Sequence, residues 1–173
     1  MVTKIAIVGG NGSGKTTLGA MLCKELHYKH MDIEDYYFED AEVPYSRPRT
    51  YQEVVRLMEQ DADRNPNFVI SAVNADLGEK INSRYQCILY LRVPLELRMK
   101  RVKQRSYDKF ADRVLPGGDM YEQEQDFIKM IETKTMKKTD EWLQRMSCPV
   151  LRLDGAKPLE ETIRLLLPQL AQL

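Results

Sequence analysis

Residues Gly9 to Thr17 read GGNGSGKTT and follow directly on the apolar run Ile5, Ala6, Ile7, Val8. Gly9, then four residues, then Gly14, Lys15 and Thr16 fits the spacing of the strand-loop-helix phosphate cradle called the P-loop. Gly10, Gly12 and Gly14, with Asn11 and Ser13 between them, allow a tight turn whose backbone N–H groups meet the oxygens of a di- or triphosphate. Lys15 places a point charge on the β- and γ-phosphates, and the Thr16 hydroxyl ligates Mg²⁺. From Thr16 and Thr17 onward the chain reads as a helix, whose positive N-terminal end turns toward the same anion.

Asp32, Glu34 and Asp35 end the second apolar run. A carboxylate there faces the P-loop across the crevice, where it holds Mg²⁺ through water or takes a proton from an attacking hydroxyl. Asp32 is assigned to both tasks, Asp35 to proton transfer and Glu34 to the substrate. The choice among the three stays open, because a one-residue strand shift changes which side chain faces the crevice. Asn74, at the end of the third run, is also assigned to the substrate. Arg98, Arg101 and Arg105 fall at i, i+3 and i+7 and share one helical face, with Arg113 downstream. Guanidiniums there stabilise the charge that spreads over a phosphoryl group in transfer. Arg101 is assigned to the nucleotide, Arg105 and Arg113 to the transfer step. Arg47 and Arg49 bracket Pro48 and offer bidentate donors to a substrate carboxylate or phosphate. Gly117 and Gly118 are candidates for the hinge of a closing segment that excludes water. These residues outline an acceptor-binding region over 36–64 and a lid over 105–125.

The elements that must position these groups follow from the apolar pattern. Short apolar runs alternate with longer helical ones, which is the signature of βαβ units and a parallel sheet with helices on both faces. Strands are expected at Ile5–Val8, Tyr28–Ile33, Phe68–Val73, Gln86–Val93 and Pro149–Leu153. Helices are expected after the P-loop, over Thr50–Arg64, Leu95–Gln104 and Tyr121–Met146, and after Pro158, with Pro168 ending or kinking the last. Leu95, Met99 and Val102 are read as the buried stripe of the third helix, and Phe127, Ile131, Trp142 and Met146 as that of the fourth. Ligands of such sheets bind beyond the carboxyl ends of the strands. The polar residues singled out above all lie there.

The 173 residues suit a single domain that buries roughly 70% of its unfolded surface. Lys and Arg number 26, as do Asp and Glu, so no net field argues for nucleic acid or an anionic membrane. Cys23, Cys87 and Cys148 form no CxxC pair and stand apart from His27 and His30, which argues against structural zinc and a disulfide framework. No charged-then-apolar leader opens the sequence, and no apolar stretch approaches the roughly eighteen residues of a membrane span. A cytoplasmic setting, as a monomer or homodimer, is expected. Strands three and four lack the terminal aspartate of motor-type ATPases, and no Asn-Lys-x-Asp guanine signature occurs.

Taken together, these motifs resemble the small P-loop kinases related to nucleoside monophosphate kinases and shikimate kinase. GGNGSGKTT resembles their phosphate loop. Asp32-Ile33-Glu34 resembles the Asp-x-Asp of shikimate kinase with glutamate in second place, and Asp35-Tyr36-Tyr37-Phe38 the acid-aromatic segment of uridine and nicotinamide riboside kinases. Val93-Pro94 with the three arginines resembles the entry to the lid. Leu153-Asp154-Gly155, followed by Pro158, resembles the loop that lies against the adenine ring, which implies that Gly155 and Lys157 contact the nucleotide. The resemblance implies a strand order of 2-3-1-4-5. The expected activity is ATP- and Mg²⁺-dependent transfer of a γ-phosphoryl group to a nucleoside, nucleotide or polar hydroxyl compound. A nucleotide-binding regulatory module or weak ATPase is the alternative.

Overall fold

A computed structural model describes residues 2–39 and 47–173. Part of the expected acceptor region, 40–46, lies outside the described residues. The chain runs through β1 (Lys4–Val8), α1 (Lys15–Leu26), β2 (Lys29–Asp32), a 3₁₀ turn (Ile33–Tyr36), α2 (Tyr51–Arg64), β3 (Phe68–Ala72) and α3 (Glu79–Asn82). It continues through β4 (Cys87–Arg92), α4 (Leu95–Phe110), a second 3₁₀ turn (Ala111–Val114), α5 (Tyr121–Thr133), α6 (Lys137–Arg145), β5 (Val150–Asp154) and α7 (Leu159–Gln172). The five strands form one sheet in the order β2-β3-β1-β4-β5, all parallel. Strand order and layering are those expected from the sequence.

β1 is central and apolar on both faces because both are covered. Ala6 and Val8 face a cluster built with Val54 and Met58 of α2, Ile81 of α3, and Trp142 and Leu143 of α6. Ile5 and Ile7 face the opposite cluster, built with Leu18 and Leu22 of α1 and Ile163, Leu166 and Leu170 of α7. Register sets the site: Val8 pairs with Ala72 and Tyr90, and Asp32 pairs with Ser71, so the P-loop and the second-strand acid leave the sheet at the same end.

Two helical expectations need correction, those for 121–146 and for α4, and of the two alternatives at Pro168 the helix does not take the ending. The single helix expected over Tyr121–Met146 is two, α5 and α6, because its apolar residues serve different cores. Ile128 and Ile131, with Phe127 against them, pack on Met99 and Val102 of α4, whereas Trp142 and Leu143 pack under the sheet. A straight rod cannot meet both. Pro168 does not end the last helix, which continues to Gln172. Its ring removes one helical hydrogen bond, at a cost of about 3 kcal/mol, but Ile163 and Leu166 before it and Leu170 after it are all buried. Finally, α4 extends past Gln104 to Phe110, and its Leu95 is 40% exposed instead of joining the stripe.

α2 starts with a complete capping box. The Thr50 side chain accepts from the Glu53 N–H, and the Glu53 carboxylate accepts from the Thr50 N–H. This fixes where α2 begins and with it Tyr51, which reaches the site described next.

Candidate active site

The loop from Gly9 closes on itself through Ser13 N–H donating to Gly10 O at 3.1 Å. Gly14, with φ 94°, then caps α1 with no side-chain hydrogen bond, and the first turn holds no acid. The first helical bond runs from Leu18 N–H to Gly14 O at 2.9 Å. The N–H groups of Lys15, Thr16 and Thr17 are thus left without helical acceptors, and these residues line a notch of about 160 Å³. Such a row of donors at a positive helix end is an anion site.

α4 braces this loop from behind. Arg98 donates from Nε to Val93 O and from Nη1 to Asn11 O, each at 3.3 Å. Gly12 has φ 78°, and a Cβ there would lie 2.5 Å from the Arg98 carbonyl oxygen. Gly12→Ala is therefore expected to cost about 1–3 kcal/mol in chemical denaturation, because backbone must move to admit the methyl; unchanged stability would contradict this packing.

Lys15 is 8% exposed, and its Nζ donates to Gly10 O at 3.1 Å. Burial draws its pKa down to about 8, against the attraction of Glu34 and Asp32. Asp32 is 5% exposed, and its Oδ1 accepts from Glu34 N–H at 3.0 Å, which caps the first 3₁₀ turn. Its Oδ2 makes no hydrogen bond among the described residues. Behind Lys15, the Ser71 hydroxyl donates to Lys15 O at 3.3 Å and meets His30 Nε2 at 2.9 Å. With the Ser71 proton on Lys15 O, His30 Nε2–H is the donor of the second bond. Gly19 makes room for this chain, since a Cβ there would collide with both His30 Nε2 and Ser71 Oγ. Burial lowers the His30 pKa, which keeps the ring neutral. The first turn of α1 is thereby tied to β2 and β3, the strands that present Asp32 and Asn74.

Three cavities meet at the loop. Ser13, Thr17, Arg101, Gly155, Lys157 and Thr162 are among the residues lining one of about 420 Å³. Gly155 comes close enough that a Cβ would lie 2.5 Å from Val93 Cγ2, and its N–H donates to Arg92 O at 3.0 Å. In the middle is the notch, which Thr16, Glu34, Arg101 and Arg105 share with the loop. On the far side, about 590 Å³ is bounded by Lys15, Asp32, Glu34, Tyr37, Tyr51 and Asn74, among others. Arg101 also donates to Ser13 O at 3.4 Å. The arginine face read from the sequence thus lies against the loop, with Arg98 as brace and Arg101 and Arg105 at the notch.

Other assigned residues sit elsewhere. Asp35 is exposed on the outer side of its turn and lines none of these three cavities. Arg49 turns inward, donating from Nη1 to Tyr36 O at 3.0 Å and to Phe38 O. Arg47 pairs with Glu39 at 3.9 Å, beside an antiparallel bridge between Phe38 and Pro48. Neither arginine lines any of these three cavities. Arg113 grips Asp119 with two bonds, Nε to Oδ1 at 2.9 Å and Nη2 to Oδ2 at 2.8 Å. Together with Gly118 N–H to Leu115 O and Met120 N–H to Arg113 O, this makes the Gly117-Gly118 segment a closed turn. Asn74 does line the large cavity; its Oδ1 accepts from Asp76 N–H at 2.9 Å.

The sequence reading missed the corner between α5 and α6, where Lys134, Thr135, Lys138 and Thr139 complete the large cavity. Thr139 is buried and donates to Val73 O at 3.2 Å, which anchors the corner to the end of β3. The signal lay in the run Lys134-Thr135-Met136-Lys137-Lys138-Thr139, which interrupts the helical apolar period. Tyr51 was missed as well; its hydroxyl donates to Asp76 O at 2.8 Å.

The donor set suits Mg²⁺, which takes oxygen ligands and usually keeps phosphates and waters among them. Thr16 and Glu34 bring hard oxygens to the notch, and the buried Ser13 hydroxyl beside it has no partner. No cluster of three or more His, Cys, Asp or Glu capable of holding a metal exists among the described residues, so the phosphates of a nucleotide would complete the shell.

The sequence profile of the AAA domain matches residues 5–142. The chain is 28% identical over 171 residues to the uncharacterized protein YqaC of Bacillus subtilis (strain 168), covering 94% of each. Among solved structures it is similar to deoxyadenosine kinase from M. mycoides (18% identity, TM-score 0.56, covering 98% of this chain and 99% of that one). It is also similar to shikimate kinase from Aquifex aeolicus (19%, 0.53, 97% and 96%) and a gluconokinase from Sinorhizobium meliloti 1021 (15%, 0.54, 98% and 91%). The likeness is one of fold, that of the small P-loop kinases.

Proposed function

This chain belongs to the AAA domain family, and we propose that it is an ATP- and Mg²⁺-dependent kinase that phosphorylates a small hydroxyl-bearing metabolite. One observation carries the reading: the loop bearing Lys15 separates a cavity bordered by Gly155 and Lys157 from a larger one that contains the buried carboxylate of Asp32. A donor and an acceptor bound in these two spaces meet at the phosphate notch. A protein that only binds or hydrolyses nucleotide has no need of the second cavity.

In this reading the base and ribose of ATP lie along Gly155 and Lys157, and the phosphates lie on the N–H groups of Lys15, Thr16 and Thr17. The Thr16 hydroxyl and, through water, Glu34 hold the Mg²⁺, which neutralises phosphate charge when bound. Asp32 stays with the acceptor, because Glu34 and not Asp32 shares the notch with Thr16. The acceptor hydroxyl forms a bond to the γ-phosphorus while the bond from that phosphorus to the β,γ-bridging oxygen breaks and ADP leaves. Asp32 takes the hydroxyl proton. Arg101 and Arg105 meet the charge on the equatorial oxygens, and Lys15 stays on the β- and γ-phosphates.

ADP release measured with ATP and Mg²⁺ across nucleosides, monophosphates, hydroxy acids and sugars is expected to rise well above the acceptor-free rate for at least one class. Tight nucleotide binding without stimulation by any of them would favour a regulatory module instead.

A further inference from the structure

Asp32 and Glu34, the acids that serve the transfer step, enter the large cavity at the end of β2 and in the turn that follows. The α5–α6 corner brings a different chemistry. Lys134 and Lys138 both line the cavity, with Thr135 and Thr139 between and beside them. Neither ammonium makes an ion pair or hydrogen bond among the described residues, although Lys137 between them pairs with Glu141 at 3.9 Å. The third acid of the cavity, Asp76, is already engaged, accepting from Asn82 Nδ2 at 2.6 Å and from Arg145 Nη2 at 3.2 Å. The corner itself is fixed by the bond from buried Thr139 to Val73 O.

Resting on the kinase reading above, we infer that the phosphoryl acceptor is an anionic alcohol, whose carboxylate or phosphate is bound by Lys134 and Lys138 while its hydroxyl faces Asp32. Two unpaired ammonium groups in one partly enclosed space lower their mutual repulsion when an oxyanion binds between them. The acids and the lysines reach the cavity on different elements, β2 with its turn and the α5–α6 corner, which also sets the orientation of the acceptor. A carboxylate or phosphate placed beside Asp32 and Glu34 would be repelled, which leaves the hydroxyl end for that position.

Matched pairs that differ in charge but keep free hydroxyls test this: glycerol against glycerol 3-phosphate, glucose against glucose 6-phosphate, and glucose against gluconate. The anionic member of at least one pair is expected to have a KM at least about 10-fold below its neutral partner, with a gap that narrows as salt screens the charges. Lys134→Ala with Lys138→Ala is expected to erase most of that gap by raising the acceptor KM, and Lys134→Arg with Lys138→Arg to keep it. The KM for ATP is the reference. An equal rise in both KM values would mean that the lysines hold ATP and would overturn the inference. So would neutral members turned over as well as anionic ones, and in that case the kinase reading stands. Thermal shift of the ADP-saturated protein with glycerol 3-phosphate, glucose 6-phosphate and gluconate separates the two claims in the other direction. A shift lost in the double alanine variant, without turnover of any compound, keeps the anion site and removes the kinase. A shift that survives in the alanine variant overturns the site.

Discussion

Lys15→Ala is expected to lower acceptor-dependent ADP formation by about 10²–10³-fold or more, the usual loss when one donor aimed at developing charge is removed. The effect is large because Lys15 is buried with Gly10 O as its one hydrogen-bond partner among the described residues, so its charge is stabilised mainly by what enters the notch. Thermal denaturation of the variant without ligand separates this from unfolding: removing a charge that is costly to bury should leave the empty protein at least as stable. Wild-type turnover in Lys15→Ala would remove the loop from the chemistry. The same residue gives a pH dependence. Its pKa is depressed to about 8 by burial, so the side chain is charged below that value and neutral above it. Bound phosphates favour the charged form, and ATP affinity is expected to weaken as the pH rises through about 8. Titration calorimetry in buffers of different ionisation enthalpy would register the accompanying proton uptake.

Asp32→Asn is expected to lower kcat by about 10²–10⁴-fold, the usual range for a general base, with little change in nucleotide affinity. The amide keeps the oxygen that accepts from Glu34 N–H, so the 3₁₀ turn survives while the proton acceptor is lost. Asp35→Asn is the matched control, because Asp35 is exposed and outside the cavities. Equal losses in the two variants, or the larger loss at Asp35, would move the base out of the buried position.

Much of this was legible in the sequence because it is written locally. The P-loop is a backbone motif whose residues are contiguous, and the alternation of apolar runs with helical patterns leads to a parallel sheet with few possible orders. Of the three second-strand acids, Asp32 and Glu34 line the large cavity and Asp35 does not, a difference that goes with the register of Asp32 opposite Ser71. The arginines divide along the same line. A helical face at i, i+3 and i+7 is set by geometry alone, and Arg98, Arg101 and Arg105 do lie on the loop. Arg49 and Arg113 are in irregular segments, where nearby carbonyls and Asp119 capture them, and no periodicity announces such partners. The large cavity was least legible, since it is assembled from β2, α2, the end of β3 and the α5–α6 corner. Lysines near a helix end look the same on paper whether they face water or a cavity.

The two apolar clusters on opposite faces of the sheet have a consequence for how such a protein diversifies. α1 and α7, which flank the cavity at Gly155, rest on one cluster, whereas α2 and α6, which contribute Tyr51, Lys138 and Thr139 to the large cavity, rest on the other. Substitutions under α2 or α6 therefore load the cluster that holds Ala6 and Val8, those under α1 or α7 the cluster that holds Ile5 and Ile7, and changes more than about 7–10 Å apart combine nearly additively. The five-stranded sheet acts as a partition. A chain of this architecture is thus free to change the lining of the larger cavity from one face while the packing beneath α1 and α7 stays intact.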